Sequence, residues 1–440
     1  MTAFPQLLLT FLLLGYSGWV AGQADYTLEE CIAYALEEQP ELKAQREELR
    51  LTGLDNQIAV SSWFPELFVS GDLQHYFQRP VSIFPDFENP ESGQTTEVEV
   101  GTVNSSNLSV GARQTIYNPT VAAALRRQGP LLEATRLGIE AVEIQVRETV
   151  SRAFYNVVRA RERLALLQAD VERQERALAD ALLLFEEGLN DKVDYKRATI
   201  TLNRTRLELQ NTLIEVGSRL AELKEAMGYP AERNLDLGYD IDRIRLEVFA
   251  DTVTVLQPNR RVEFRQLLAR DRLVALEATF YRQAWLPDFY LGGTYNLTWQ
   301  SNELVNLYDR VFPNSLASLN VSIPLFTGGR RFRQIERQAV LRDQLQFDLR
   351  ALEDEVELQY RLARNNFDQA ANAYAIAREN VELAREIYEV VDLQYREGIT
   401  NFLSVIIAEN DLQEARLAVV NSLLDGAVAR VGLRFAAGTL

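Results

Sequence analysis

The sequence predicts a membrane protein of the α+β class, in which short amphipathic strands alternate with helices far longer than a compact domain contains. Three observations carry that reading. The first is an internal repeat: Trp63-Phe64-Pro65-Glu66-Leu67-Phe68-Val69-Ser70-Gly71 returns as Trp285-Leu286-Pro287-Asp288-Phe289-Tyr290-Leu291-Gly292-Gly293. Each copy then reaches an aromatic corner, Ile116-Tyr117-Asn118-Pro119 or Leu325-Phe326-Thr327-Gly328. A helical segment follows to a glycine tip, Phe185-Glu186-Glu187-Gly188 or Tyr395-Arg396-Glu397-Gly398. The second observation is a strict seven-residue spacing before each tip, and the third is strand-like alternation after each Trp-x-Pro corner. A unit repeated on this scale is an architectural signal.

At the N-terminus, residues 7–21 form an apolar run ending in Gly22-Gln23-Ala24, with small residues at the last and third-last positions. It reads as a signal peptide over 1–24, although no Lys or Arg precedes it. No later segment approaches the roughly 18 apolar residues of a spanning helix. The mature chain divides into a first repeat, 25–228, an equatorial linker, 229–257, and a second repeat, 258–440.

A helix of about 35 residues is expected over 28–62. Pro65 stops it, as Pro287 stops the helix over 260–284. Alternation then sets Leu67, Val69, Gly71 and Leu73 against Glu66, Ser70, Asp72 and Gln74, and Leu108, Val110 and Ala112 against Ser109, Gly111 and Arg113. In the second copy Phe289, Leu291, Gly293, Tyr295 and Leu297 oppose Tyr290, Gly292, Thr294 and Asn296. The fourth strand is expected over 317–325. These segments have the period and length of membrane-spanning strands, apolar toward lipid and polar toward a lumen. The polar stretches 79–101 and 301–313 suit extracellular loops. Trp63, Tyr117, Trp285 and Phe326 fall at the helix-to-strand corners, where a membrane surface concentrates aromatic rings.

The long helices are expected over 119–187 and 329–397, each about 100 Å at 1.5 Å per residue. Val150, Val157, Leu164, Val171, Leu178 and Phe185 fall seven apart, and Tyr360, Phe367, Tyr374, Val381, Tyr388 and Tyr395 repeat the pattern. Beside them runs a row of small residues, Ala363, Ala370, Ala377 and Ala384 in the second copy and Ala153, Ala160 and Ala181 in the first. A sustained seven-residue repeat implies left-handed supercoiling with close neighbours. Shorter helices over 193–227 and 402–435 complete a rod in each repeat. The linker 229–257 breaks the pattern and is expected to pack as an irregular belt.

Several function classes drop out. Cys31 is the only cysteine and His75 the only histidine, which leaves little for a metal site or a Cys/His nucleophile. No metal, cofactor or catalytic residue is assigned. A net charge of -17 argues against a nucleic-acid partner. Four strands cannot close a barrel with a pore, and an open sheet in lipid would strand its edge hydrogen bonds. Several copies must therefore join, and three would supply twelve strands.

The residues resemble the outer membrane efflux protein family, the TolC-like channels. The match begins at Tyr26-Thr27-Leu28-Glu29-Glu30-Cys31 and Ala35-Leu36-Glu37-Glu38-Gln39-Pro40-Glu41-Leu42, and runs through both Trp-x-Pro corners and both glycine tips. The resemblance implies a homotrimer in the bacterial outer membrane. Four strands per protomer would build a 12-stranded barrel, continued by a long periplasmic helical barrel of coiled-coil type. It implies the exit duct of a tripartite efflux or type I secretion system, whose partners are a periplasmic adaptor and an inner-membrane pump of the RND, ABC or MFS class. It implies no catalysis.

At the periplasmic end the resemblance implies a gate held by polar links between the two tips. Asp194 matches the family's acidic residue of the first tip and Tyr395 its tyrosine partner. Thr400 and Ser404 stand where other members can carry arginine and aspartate, so Asp191 is a further candidate for the closed state. A second reading, in which Asp194 caps a helix, stays open. Adaptor docking in the family uses a Val-Gly-Leu or Val-Gly-Thr tip; this chain has Glu187-Gly188-Leu189 and Glu397-Gly398-Ile399. The glycines are equally explained as turn residues. A periplasmic adaptor, and a trimeric coiled-coil surface structural protein, are the alternatives. Neither explains two repeats that both contain amphipathic strands.

Overall fold

A computed structural model describes residues 25–85, 93, 95–188, 191–250 and 255–440. The expected signal peptide and Leu189 of the first tip lie outside them. Near the start of the described residues, the Tyr26 N–H donates to the Asp236 carbonyl at 2.8 Å, and Tyr26 bridges Leu237 in parallel. Helix α1 (Leu28–Glu38) follows, opened by a capping box between Thr27 and Glu30. Helix α2 (Pro40–Ser61) comes next. A single helix was expected here, but Gln39 adopts an extended conformation, with ψ 123°, because Pro40 disfavours helical backbone in the residue before it. The Gln39 side chain accepts from the Leu42 N–H at 2.9 Å and so caps the second segment.

Four antiparallel strands, β1 (Glu66–His75), β4 (Asn104–Tyr117), β5 (Asp288–Ser301) and β6 (Val311–Ser322), form one sheet in the order β1-β4-β5-β6. The two repeats thus meet at the β4–β5 pair. Two departures from the sequence expectation stand out. Strand β6 begins at Val311 and ends at Ser322, so Ile323 and Leu325, on either side of Pro324, lie beyond the sheet. It includes Pro313, which β6 tolerates as the outer strand of the sheet within one chain. The stretch expected as a loop over 79–101 carries a hairpin of its own, β2 (Val81–Pro85) with β3 (Thr95–Glu99).

Below the sheet run α3 (Pro119–Glu186, 68 residues) and α7 (Arg330–Arg396, 67 residues), each about 100 Å long. Pro119 sits at the first turn of α3, where a missing N–H costs nothing, and the Asn118 side chain accepts from the Thr120 N–H at 2.8 Å. Helix α4 (Lys192–Met227) ends where α2 begins, Gly228 lying against Gln39 and Pro40, and both pack along α3; α8 (Phe402–Ala437) ends where α6 (Val262–Gln283) begins in the same way, Gly438 lying against Arg261. α3 lies between these two stacks, whereas the main partners of α7 are α6 and α8 alone. The heptad rows face these neighbours: Val150, Val157, Phe367 and Tyr374 are buried, as are Ala160, Ala181, Ala370, Ala377 and Ala384.

The middle of the rod holds the largest core. Cys31 and Ala35 of α1 meet Val146, Val150, Phe154 and Val157 of α3, Leu223 and Met227 of α4, and Leu235 and Leu237 of the linker. Burial pushes the Cys31 thiol up to about 12, so it is a packing residue and not a nucleophile. The linker is less irregular than expected, since it contains a helix, α5 (Ile241–Val248), ending against α8. There the Phe249 ring stacks on Tyr374 with centroids 5.1 Å apart. Gly426 of α8 makes room for it, because a Cβ there would lie 2.5 Å from that ring.

Candidate functional site: one polar sheet face and two helical tips

Cross-strand register assigns each strand residue to a face. Leu67, Ala112, Gly293 and Ala317 form one row, and Val69, Val110, Tyr295 and Ser315 the next. The same face continues through Leu291 and Leu319. These side chains find no cover within the chain: Leu67 is 78% exposed and Val69 67%. An uncovered apolar band of this size needs lipid or another protein against it. The opposite face holds Ser70, Ser109, Asn296 and Asn314 in one row and Glu66, Arg113, Gly292 and Ser318 in another. Asn296 donates to Asn314 at 2.7 Å, and Thr298 to Asn107 at 3.1 Å. Phe68 and Leu316 interrupt this polar face, and the Phe68 ring lies over Gly111, where a Cβ would come within 2.3 Å of it. That aromatic cover of a strand glycine was not anticipated from the sequence.

The corner aromatics sit where the sheet meets the rod. Trp63 donates its indole N–H to the Ile116 carbonyl at 3.2 Å, tying α2 to the end of β4, and Tyr117 is the last residue of β4. Trp285 and Phe326 are exposed at the two ends of the β5–β6 unit. At the other rim Tyr308 packs edge-on against Trp299, 5.5 Å away, and buries Leu307 beside it.

At the far end of the rod all four helices converge. Ala181 of α3, Ala198 of α4 and Phe402 of α8 are buried together, with Leu178, Tyr195, Tyr395 and Ile406 packed around them. Tyr195 lies 5.0 Å from the Phe185 ring, and Tyr395 lies 5.5 Å from Phe402. The two turns are built alike. Gly188 and Gly398 have φ of +75° and +71°, which L side chains avoid, and each follows a glutamate, Glu187 or Glu397, that closes its helix. Ile399 is 73% exposed.

Polar residues at the tips divide by role. Asp191 is the N-cap of α4, accepting from the Val193 N–H at 3.1 Å, so the capping role considered for Asp194 is taken by its neighbour. Asp194 sits half-buried in the first turn, where burial and then Asp191 raise its carboxyl above the usual range, against a lowering by Arg197. Asn401 caps α8, accepting from the Ser404 N–H at 3.1 Å. Thr400 donates to the Ser404 hydroxyl at 3.1 Å, so both belong to this cap. Asp194 and Tyr395 therefore lie at the same end of the rod, α4 packing chiefly on α3 and α7 chiefly on α8, and of the two only Tyr395 belongs to the aromatic cluster.

The helices also expose rows that sequence reading missed. Val193, Ile200, Leu207 and Ile214 of α4 fall seven apart, and all are exposed. Leu51 and Ile58 extend the row on α2. On α7, Val340 and Phe347, then Ile376, Leu383 and Val390, do the same. Their spacing is as regular as that of the buried rows; only packing separates the two kinds.

No group of His, Cys, Asp and Glu that could hold a metal occurs among the described residues, and no described helix is long and apolar enough to cross a membrane. A family model described as Outer membrane efflux protein matches residues 31–229 and 259–439. Outer membrane protein TolC of Vibrio cholerae is 24% identical over 311 residues, 66% of this chain and 67% of that protein. Among solved structures, CusC superposes with a TM-score of 0.71 at 14% identity, covering 96% of this chain and 95% of that one. The open state of the Neisseria gonorrhoeae MtrE outer membrane channel superposes with a TM-score of 0.70 at 16% identity, over 93% and 88% of the two chains.

Proposed function

Because the chain belongs to the outer membrane efflux protein family, we propose that three copies close into one tube, the exit duct through which an inner-membrane pump and a periplasmic adaptor discharge cargo. The protein is an outer membrane efflux channel of TolC-like fold with a large periplasmic part. One observation carries the trimeric reading: the protomer is a strip with two unsatisfied edges that match in kind and height. β1 and β6 leave unpaired backbone on either side of the sheet. α2 and α4 form one margin of the helical layer and α7 the other, and both margins carry exposed seven-residue apolar rows. Head-to-tail association of three such strips satisfies all four edges at once. Twelve strands follow from four per protomer.

The tube would span the outer membrane through its sheet, with the uncovered apolar face toward lipid and the corner aromatics Trp63, Tyr117, Trp285 and Phe326 at the membrane surface. Its tips carry the gate, in which Asp194 and Tyr395 hold neighbouring helices together and Asp191, Thr400 and Ser404 fix the turns. The adaptor contacts are Glu187, Gly188 and Leu189 on one tip and Glu397, Gly398 and Ile399 on the other. The acidic balance of the chain favours cations in the pore. The test is the mass of the detergent-extracted protein together with its conductance in planar bilayers. A trimer that conducts with cation-selective reversal potentials is expected. A monomer released by washing membranes, without detergent, would instead mark a soluble periplasmic component.

A further inference from the structure

Where the sheet meets the rod, a cavity of about 720 Å³ opens on the polar face. Its walls combine Arg113, Glu66, Thr115 and Tyr290 with the apolar side chains of Phe64 and Val121. Arg113 is the only Arg or Lys in the four strands of the sheet. Its direct neighbour on β5 is Gly292, which offers no side chain, and its neighbour on β1 is Glu66. Despite that facing carboxylate, no acidic group among the described residues lies within ion-pair distance of the guanidinium, and the side chain is exposed to the cavity. A guanidinium with no acceptor among the described residues, in a chain of net charge -17, is a planar donor open to an anion. Nearby, Asn118 donates to the Tyr290 hydroxyl at 3.0 Å, so these two side chains are engaged with each other.

We propose that Arg113 and this cavity form a subsite for amphipathic organic anions, an aromatic carboxylate or sulfonate, at the junction of helical tunnel and barrel. The anionic head pairs with the guanidinium while the ring lies against Phe64 and Val121. Glu66 faces the same space and weakens the hold, which suits a duct that must release what it binds. This subsite rests on the channel reading for its placement in a lumen, where threefold symmetry would repeat Arg113 three times. Its binding chemistry does not require conductance.

The probe is benzenesulfonate, titrated calorimetrically into the detergent-solubilised full chain, with conductance of the same preparations in plain KCl measured separately. The parent is expected to bind, Arg113→Gln to bind about tenfold more weakly or not at all, and Glu66→Gln to bind more tightly. Arg113→Lys keeps the charge without the planar fork and should fall between parent and Arg113→Gln. Equal binding by parent and Arg113→Gln, or no binding by the parent at millimolar probe, overturns the subsite whatever the conductance. If Arg113→Gln does not assemble, Glu66→Gln and Arg113→Lys decide, and unchanged affinity in both overturns it. Loss of conductance in KCl with binding intact would strike the channel reading alone.

Discussion

Helices α3 and α7 are the same element written twice, and they are buried very differently. Both run about 100 Å from the corner of a strand to a glycine tip, and both carry a large-residue row flanked by small residues. α3 has a stack of helices on each side, and its rows are buried at Val150, Val157, Ala160, Leu167 and Ala181. α7 has neighbours on one side, so Phe367, Tyr374 and Ala384 are sealed while Ile376, Leu383 and Val390 on its other side are bare. A helix with two apolar faces and one neighbour is incomplete within its own chain. The duplicated unit therefore yields an interior helix and a marginal one, and the proposed contact with a second copy falls on the marginal one together with the α4 margin.

The largest expected effect breaks that margin. Leu383→Glu on α7, or Ile200→Glu on α4, places a charge in the centre of the proposed seam while touching no buried core. Either should abolish the trimer in detergent while the extracted monomer keeps its helical circular dichroism. A trimer that survives both substitutions would mean that these rows face solvent or lipid, and the strip model would fall.

Next come substitutions inside the strip. Phe154 of α3 and Phe367 of α7 are 2% and 1% exposed, so truncating either to alanine should cost about 3–5 kcal/mol. Phe367→Ala should also loosen the linker, because the Phe249 ring lies 5.9 Å from Phe367 and 5.1 Å from Tyr374. Thermal unfolding and proteolysis within 229–257 measure the two effects. Equal protease sensitivity in both variants would show that the belt is held by something other than that aromatic contact.

Much of this was legible beforehand, and the parts that were not share a cause. Period-two alternation identified four strands, and the seven-residue rows identified the long helices and their buried faces. The break at Gln39 was missed because the periodicity of residues 28–62 carries across Pro40, while backbone sterics do not. The shift of β6 arose because Pro313 reads as a loop residue, yet an edge strand accepts it. Alternation also failed at Phe68, a ring on the polar face that covers Gly111; the glycine was visible, but its cross-strand partner depends on register. At the tips, Asp194 was singled out, whereas the capping side chains turned out to be Asp191 and Asn401.

The gate gives a smaller effect than loss of the trimer. Tyr395 on α7 packs against Phe402, Asp194 on α4 precedes Tyr195 of the same cluster, and the two belong to opposite margins of the strip, so the proposed link runs across the seam between copies. Combining Asp194→Ala with Tyr395→Phe removes the carboxylate and the hydroxyl but keeps both helices and the ring. The double variant should conduct more than the parent in planar bilayers, with trimer mass and melting temperature close to those of the parent. Unchanged conductance would sink the link between these two residues and leave the aromatic cluster as the closing contact.

The smallest expected effect lies between the two long helices themselves. Glu409 of α8 sits mostly buried about 10 Å above the tip by helical rise. It is faced by Asp170 and Arg173 from α3, Tyr388 and Asp392 from α7, and Arg416 on its own helix. Arg173 is held by Asp170 and reaches Glu409 only at 3.9 Å. Burial therefore raises the Glu409 carboxyl above the usual range; Arg173 and Arg416 oppose that shift without cancelling it, and Asp392 adds to it. A carboxyl whose pKa is higher folded than unfolded stabilises the fold fully below its unfolded value, and that stability is lost as pH rises through the folded value. Glu409→Gln should thus be neutral in mild acid and stabilising near neutral pH. Melting temperatures between about pH 4.5 and pH 8 would read this directly, the parent sloping downward relative to the variant. If the variant melts lower than the parent near neutral pH, the contact with Arg173 outweighs burial, and α8 is pinned to α3 by a charge pair rather than by packing.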